Sequence, residues 1–174
     1  MKLWRCVICG DPYLGEERPK NCPFCGAHER YIVEQADYKE PVIENLTDIS
    51  KKNLEAALQL EISNAEFYAC ASRKANTDGM KSLFKALSKV ESEHASVLCK
   101  ALKIKKPPIN MDTDECSADD MDNLKESHAR EDRAIHKYAE FLSQATEPRV
   151  VEIFSAIIAV ESDHLSLSEG RMRD

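Results

Sequence analysis

Two pentapeptides, VESEH at residues 90–94 and VESDH at residues 160–164, each carry a glutamate and a histidine three positions apart. On a helix that spacing puts both side chains on one face. A carboxylate and an imidazole so placed suit a divalent or trivalent first-row metal ion. A single Glu-x-x-His is weak, because such pairs commonly sit on solvated helix faces. Here the motif recurs at an offset of 70 that also relates Glu61 to Glu131, Tyr68 to Tyr138, Phe84 to Phe154 and Val90 to Val160 without a gap. The second half of this region therefore reads as a copy of the first. A second cluster stands near the amino terminus, where Cys6-x2-Cys9 and Cys22-x2-Cys25 have the spacing of a tetrahedral four-thiolate site. That spacing signals a metal but does not choose between zinc and iron.

The elements that must position these residues follow from helical period and breakers. Long stretches without internal proline run from about Asn45 to Ala75, Met80 to Leu102, Asp119 to Ala145 and Pro148 to Arg171. The turn signal Asn76-Thr77-Asp78-Gly79 separates the first two, and Ala-Thr-Glu-Pro separates the last two. The middle connection, KIKKPPINMDTDECSADD, is long enough to cross a bundle from end to end. Helix, tight turn, helix, long crossover, helix, tight turn, helix is the topology of an all-α, ferritin-like four-helix bundle. Within it, Leu54, Leu58, Glu61, Ala65 and Tyr68 form one stripe, and Phe84, Leu87, Glu91, His94 and Leu98 another. Leu124, Glu131, Ile135, Tyr138 and Leu142 form the third, and Phe154, Ile157, Glu161, His164 and Ser168 the fourth.

Each stripe thus carries a glutamate at its middle, and four buried carboxylates around one point require a compensating cation. One Glu from each of two helices plus Glu-x-x-His from each of the other two is the ligand set of di-iron carboxylate bundles. Glu91 and Glu161 are expected to bridge two metals, Glu61 and Glu131 to be terminal carboxylates, and His94 and His164 to give one nitrogen per metal. Tyr68 and Tyr138, two turns after Glu61 and Glu131, are placed to hydrogen-bond the carboxylate ligands and orient the cofactor.

Composition narrows the rest. The chain has 174 residues, a net charge of −7 and 43% hydrophobic residues, so one core and a small appendage fit and two large domains do not. The acidic balance argues against nucleic acid, and no apolar run approaches the roughly 18 residues of a membrane span. MKLWRCVICGDP lacks the apolar segment of a secretory signal, so a cytoplasmic location is expected. Seven cysteines cannot all pair within one chain. Cys70 and Cys99 are expected to pack as small hydrophobes, and Cys116 to be an exposed thiol. His28 and His136 are expected to lie on the surface without evident partners.

Gly10 after Cys9, Tyr13, Pro19 and the run Cys22-Pro23-Phe24-Cys25-Gly26 resemble the rubredoxin-like module of rubrerythrins. With the duplicated Glu/His set, nearly the whole chain resembles a rubrerythrin in reversed order, a rubredoxin-like module over residues 1–38 followed by a di-iron bundle over 39–174. The resemblance implies one mononuclear iron held by Cys6, Cys9, Cys22 and Cys25, with a zinc ribbon as the alternative, and one non-haem di-iron centre. It also implies an oxidative-stress enzyme that reduces hydrogen peroxide, fed from NAD(P)H through a separate reductase. A homodimer or higher homo-oligomer is expected, with the rubredoxin centre of one subunit close to the di-iron site of another. A ferroxidase or iron-storage protein is the alternative reading. Typical members carry an additional glutamate one turn after the third-helix ligand; that position is Ala134 here, which puts redox-linked ligand exchange in question. His128, one turn before Glu131, is expected to be solvated rather than a further ligand.

Overall fold

The structure, a computed structural model, describes residues 1–173, so the last position of the expected bundle, Asp174, lies outside it. The amino-terminal part is a small antiparallel sheet of β1 (Lys2–Cys6), β2 (Pro12–Gly15) and β3 (Ile32–Glu34), in the order β2-β1-β3. Single 3-10 turns at Glu29–Tyr31 and Gln35–Asp37 bracket β3. An extended segment then leads to four long helices, α1 (Asp48–Lys74), α2 (Asp78–Leu102), α3 (Asp120–Gln144) and α4 (Pro148–Arg173).

Helix starts are set by side chains that satisfy free backbone donors. Thr47 accepts from the Ser50 N–H, Thr77 from the Met80 N–H, and Asp119 from the Asp122 N–H. α2 ends at Lys103, whose left-handed backbone (φ 55°) lets the Ile104 N–H close on the Cys99 carbonyl before the prolines begin. α1 packs along α2 and α3 along α4, and the two hairpins are joined by the irregular crossover 103–119.

Two apolar clusters flank the middle of the bundle. One is built from Phe67, Tyr68, Ala71, Phe84, Leu87 and Leu124. The other joins Leu54, Leu58, Leu98, Ile153, Phe154 and Ile157 to Cys6, Ile8, Ala27 and Ile32 of the small module, so module and bundle share one core. The polar layer between the clusters holds the glutamates and histidines.

Three of the expected stripes are buried throughout, but the third turns differently: Ser127, Ala134 and Phe141 are buried, while Ile135 and Leu142 are half-buried. A step of three rather than four after Glu131 keeps this face on the bundle axis, because 3.6 residues per turn lies between the two. The cysteine reading is also corrected. Cys70 and Cys116 form a disulfide that ties the crossover to α1, whereas Cys99 is a buried free thiol. A separation of 46 residues gave no local spacing signal. The same stretch of crossover is held by Arg73 donating to the Met111 and Thr113 carbonyls and by Lys74 paired with Asp114 at 2.8 Å.

Candidate metal centres

The amino-terminal site is made by two like knuckles. Gly10 (φ 84°) and Gly26 (φ 73°) follow Cys9 and Cys25 in backbone conformations that favour glycine. Their N–H groups close onto the Cys6 and Cys22 carbonyls at 2.9 and 3.0 Å. All four cysteines are buried. The Cys6–Cys25 and Cys9–Cys22 sulfur pairs are each 3.7 Å apart. A disulfide needs about 2.05 Å, whereas a tetrahedron with metal–sulfur bonds of about 2.3 Å has edges of about 3.8 Å. Contact with Cys22 drives the Cys9 and Cys25 thiols up and Cys6 down, so four thiolates do not coexist here without a cation.

The second site draws on all four helices. Glu61, Glu91, His94 and Glu161 bring ligand atoms to one point, and Glu91, Glu131, Glu161 and His164 to another, within 4.8 Å in each case. Glu91 and Glu161 belong to both groups. All four glutamates are fully buried, and His94 and His164 are 1% and 8% exposed. Oε2 of Glu61, both oxygens of Glu91, Oε2 of Glu131, Oε1 of Glu161 and Nδ1 of His94 have no hydrogen-bond partner. Distances from His94 Nδ1 to Glu161, Glu91 and Glu61 oxygens are 3.0, 3.4 and 3.5 Å, close enough for ion pairing but without hydrogen-bond alignment. Buried polar atoms left unpartnered are rare in folded proteins. Six of them converging in one layer fit a pair of metal ions.

The electrostatics agree. Burial, reinforced by the Glu161 charge, pushes Glu61 and Glu131 well above the usual carboxylate range. At Glu161 burial acts the same way but is outweighed by His164 and His94, which hold it low. At His164 burial is outweighed by Glu161 and Glu91, which raise the imidazole to about 10. In the absence of a cation the cluster would hold protons instead.

The tyrosines cross between the paired halves. Tyr68 of α1 donates to Glu131 of α3, and Tyr138 of α3 donates to Glu61 of α1. Burial, then the adjoining carboxylate, raises both phenols well above 10, so each remains a donor. His94 Nε2–H donates to the Cys25 carbonyl at 2.9 Å. That bond fixes the tautomer and leaves the Nδ1 lone pair facing the carboxylates. The other knuckle is held by Lys100, which donates to the Cys9 carbonyl at 2.5 Å, and by Arg149, which donates to the Ile8 carbonyl at 2.7 Å.

The remaining candidates sort by where they point. His128 pairs with Glu169 at 3.2 Å on the surface and does not enter the Glu/His layer. Ala134 is buried and offers no ligand atom. His28 was expected to lack a partner, but it meets Asp163 of α4 at 2.7 Å and thereby joins the module to the bundle. His136 is exposed beside Asp132. Sequence reasoning missed Ser127, fully buried and hydrogen-bonded to Tyr68 at 2.8 Å. Its place in the period, four before Glu131, was the available signal.

Among proteins of known family, residues 52–172 match the family model described as "Rubrerythrin". The chain is also similar to reverse rubrerythrin-1 of Clostridium acetobutylicum, 30% identical over 113 residues. That match covers 59% of this chain and 62% of the relative, so it spans less than two thirds of the relative's length. Four helices of ferritin-like arrangement, a four-cysteine cluster that precedes them and a family match over most of the sequence lead to one assignment: this chain belongs to the rubrerythrin family.

Proposed function

We propose that this chain is a non-haem di-iron peroxidase that reduces hydrogen peroxide to water in defence against oxidative stress. In this reading residues 1–38 are a rubredoxin-like electron-transfer module and 39–174 the di-iron bundle. The observation that carries it is the hydrogen bond from His94 to the Cys25 carbonyl, which links a proposed ligand of one metal site to a proposed ligand of the other. Loaded with iron, the four-cysteine site supplies a one-electron carrier, and the paired site the Lewis acidity and two electrons that peroxide reduction needs.

The chain's own residues do the rest. Glu91 and Glu161, shared by both groups, would be ligands to both metals, and Glu61 with His94 and Glu131 with His164 would complete the two halves. Tyr138 and Tyr68 hold Glu61 and Glu131 in place by donating to one oxygen, which leaves the other for the metal. The balance is H2O2 + 2 electrons + 2 protons to two waters, so the protein must also deliver protons. An iron-storage or ferroxidase role has no use for a second metal site hydrogen-bonded to the first. The electron donor is a separate NAD(P)H-dependent reductase, the location cytoplasmic, and the assembly a homodimer or higher homo-oligomer. Among the described residues no helix is long and apolar enough to cross a membrane.

The test is NADH-dependent peroxide reduction with a reconstituted reductase. Cys9→Ser and Glu91→Ala are each expected to lower turnover by more than roughly tenfold. Unchanged turnover in both variants would remove the proposed route. Sedimentation as a shell-sized particle would favour storage.

A further inference from the structure

The two halves of the Glu/His layer are alike in their ligands but unlike in what stands behind them. Tyr68 has one hydroxyl hydrogen, and it goes to Glu131. The 2.8 Å contact between Tyr68 Oη and Ser127 Oγ must therefore be a bond donated by Ser127. Ser127 has then spent its own hydrogen, so its 2.8 Å contact with Ser168 Oγ is a bond donated by Ser168. Counting hydrogens thus orders the three hydroxyls into one continuous donor chain, Ser168 to Ser127 to Tyr68, that ends on Glu131. Exposures of 1%, 0% and 0% exclude bulk water from competing with these bonds.

The other half has no such chain. Tyr138 donates to Glu61, but the offset of 70 places Ala57 opposite Ser127 and Leu98 opposite Ser168, and both are fully buried. Phe154 stacks on Tyr138 as Phe84 stacks on Tyr68, so the rings are alike on the two sides and the serines are what differ. A duplication that keeps its ligands and tyrosines yet writes two serines on one side and two apolar residues on the other has made the site one-sided. The outer end of the serine side lies near water. The residues that follow Ser127 and Ser168, His128 and Glu169, pair with each other at the half-exposed surface.

We propose that Ser168, Ser127 and Tyr68 are a proton relay that serves only the Glu131 half of the dimetal site. The relay rests on the peroxide reduction proposed above for its purpose, since each peroxide consumes two protons. In one passage Ser168 Oγ takes a proton that enters from the solvent side, where His128 and Glu169 are half-exposed. Each hydroxyl then hands its former hydrogen to the next oxygen, and Tyr68 hands its own to the Glu131 carboxylate it already bonds, from which it is available to the substrate. Every hydroxyl oxygen loses one hydrogen and gains one, no electron moves along the chain, and rotation of the hydroxyls restores the starting order. The direction matches the demand, because the last bond already points into the site.

Two readouts test this in the full-length protein. In the zinc-loaded chain, NMR with ring-labelled tyrosine compares hydroxyl hydrogen exchange at Tyr68 and Tyr138 without any turnover. Tyr68 is expected to exchange more than roughly tenfold faster, and Ser127→Ala or Ser168→Ala to bring it down to the Tyr138 rate, with Ser168→Thr keeping it fast. In the iron-loaded chain, both alanine variants are expected to lower kcat for peroxide roughly ten- to hundredfold, change the solvent deuterium isotope effect and leave KM unaltered. Equal exchange at the two tyrosines in the unaltered chain, or a Ser127→Ala chain with both Tyr68 exchange and kcat unchanged, would overturn the relay. Absence of peroxide turnover in the unaltered iron-loaded chain would instead overturn the peroxidase reading, while the exchange comparison still decides whether the relay conducts.

Discussion

Single side chains in the polar layer are useful in proportion to how completely their second atom is occupied. His94 spends Nε2–H on the Cys25 carbonyl, and Glu61 and Glu131 each spend one oxygen on a tyrosine, so the remaining atom of each is aimed. Removing the aiming bond should therefore weaken metal binding without removing a ligand. For Tyr138→Phe we expect metal affinity at the paired site to fall roughly tenfold or more while the four-cysteine site stays loaded. Competition with a chelator, followed by metal analysis of the protein, measures it. Glu91→Ala is a harsher change, because that carboxylate faces both groups. Loss of both metals from the bundle is expected, read out as retention of the four-cysteine metal alone.

The helices hold the site because their ends and connections are fixed. Glu147, in the α3–α4 turn, accepts from the Thr47 N–H and from Ser50 Oγ, both at 2.6 Å, and so clamps the start of α1. Burial opposes its ionisation, but the hydrogen bonds from Ser50 and the Thr47 backbone outweigh it and hold Glu147 at about 2. A folded value below the unfolded one gives stability that is present above about 4.5 and is lost as pH falls toward 2. Glu147→Gln is expected to lower stability by about 1 kcal/mol at neutral pH and by less near pH 2, measured by denaturant melts at both. The crossover is the other fixed connection. Reducing the Cys70–Cys116 disulfide, which spans 46 residues, should lower stability by up to about 4 kcal/mol by the loop-closure argument. Thermal melts with and without a dithiol reductant, compared with Cys116→Ser, check it.

Across the whole molecule the decisive contact is the docking of the small module on α2 and α4. Gly26 sits where an added Cβ would lie 2.8 Å from Val160 Cγ1, and its φ of 73° already disfavours a side chain. Gly26→Ala should therefore lift the knuckle from α4 and weaken the His94–Cys25 bond. Both metal sites are expected to load, while re-reduction of the paired site slows by roughly tenfold or more. Stopped-flow absorbance at the two centres distinguishes this from loss of metal. Metal removal tests the same unity from the other side. With four carboxylates in one buried layer, a chelated bundle is expected to melt at a lower temperature than the loaded one, in calorimetry at neutral pH.

Much of the architecture could be read from the chain alone. Helical period, turn signals and proline-rich breaks are local properties, so four helices, the long crossover and three of the four buried stripes were legible. The offset of 70 made the Glu/His set legible as well, because a duplicated pattern carries its own internal comparison. The third stripe misled by a single step, choosing Ile135 where Ala134 is buried, since a period of 3.6 leaves three and four equally available. What sequence could not supply were contacts between residues far apart in the chain. The Cys70–Cys116 disulfide, the His28–Asp163 pair, the His94–Cys25 bond and the Tyr68–Ser127–Ser168 chain depend on how helices and module are set against one another. The candidate ligands are written in residue type and spacing. Which atom of each candidate ligand is left free depends on neighbours that packing brings within hydrogen-bond reach.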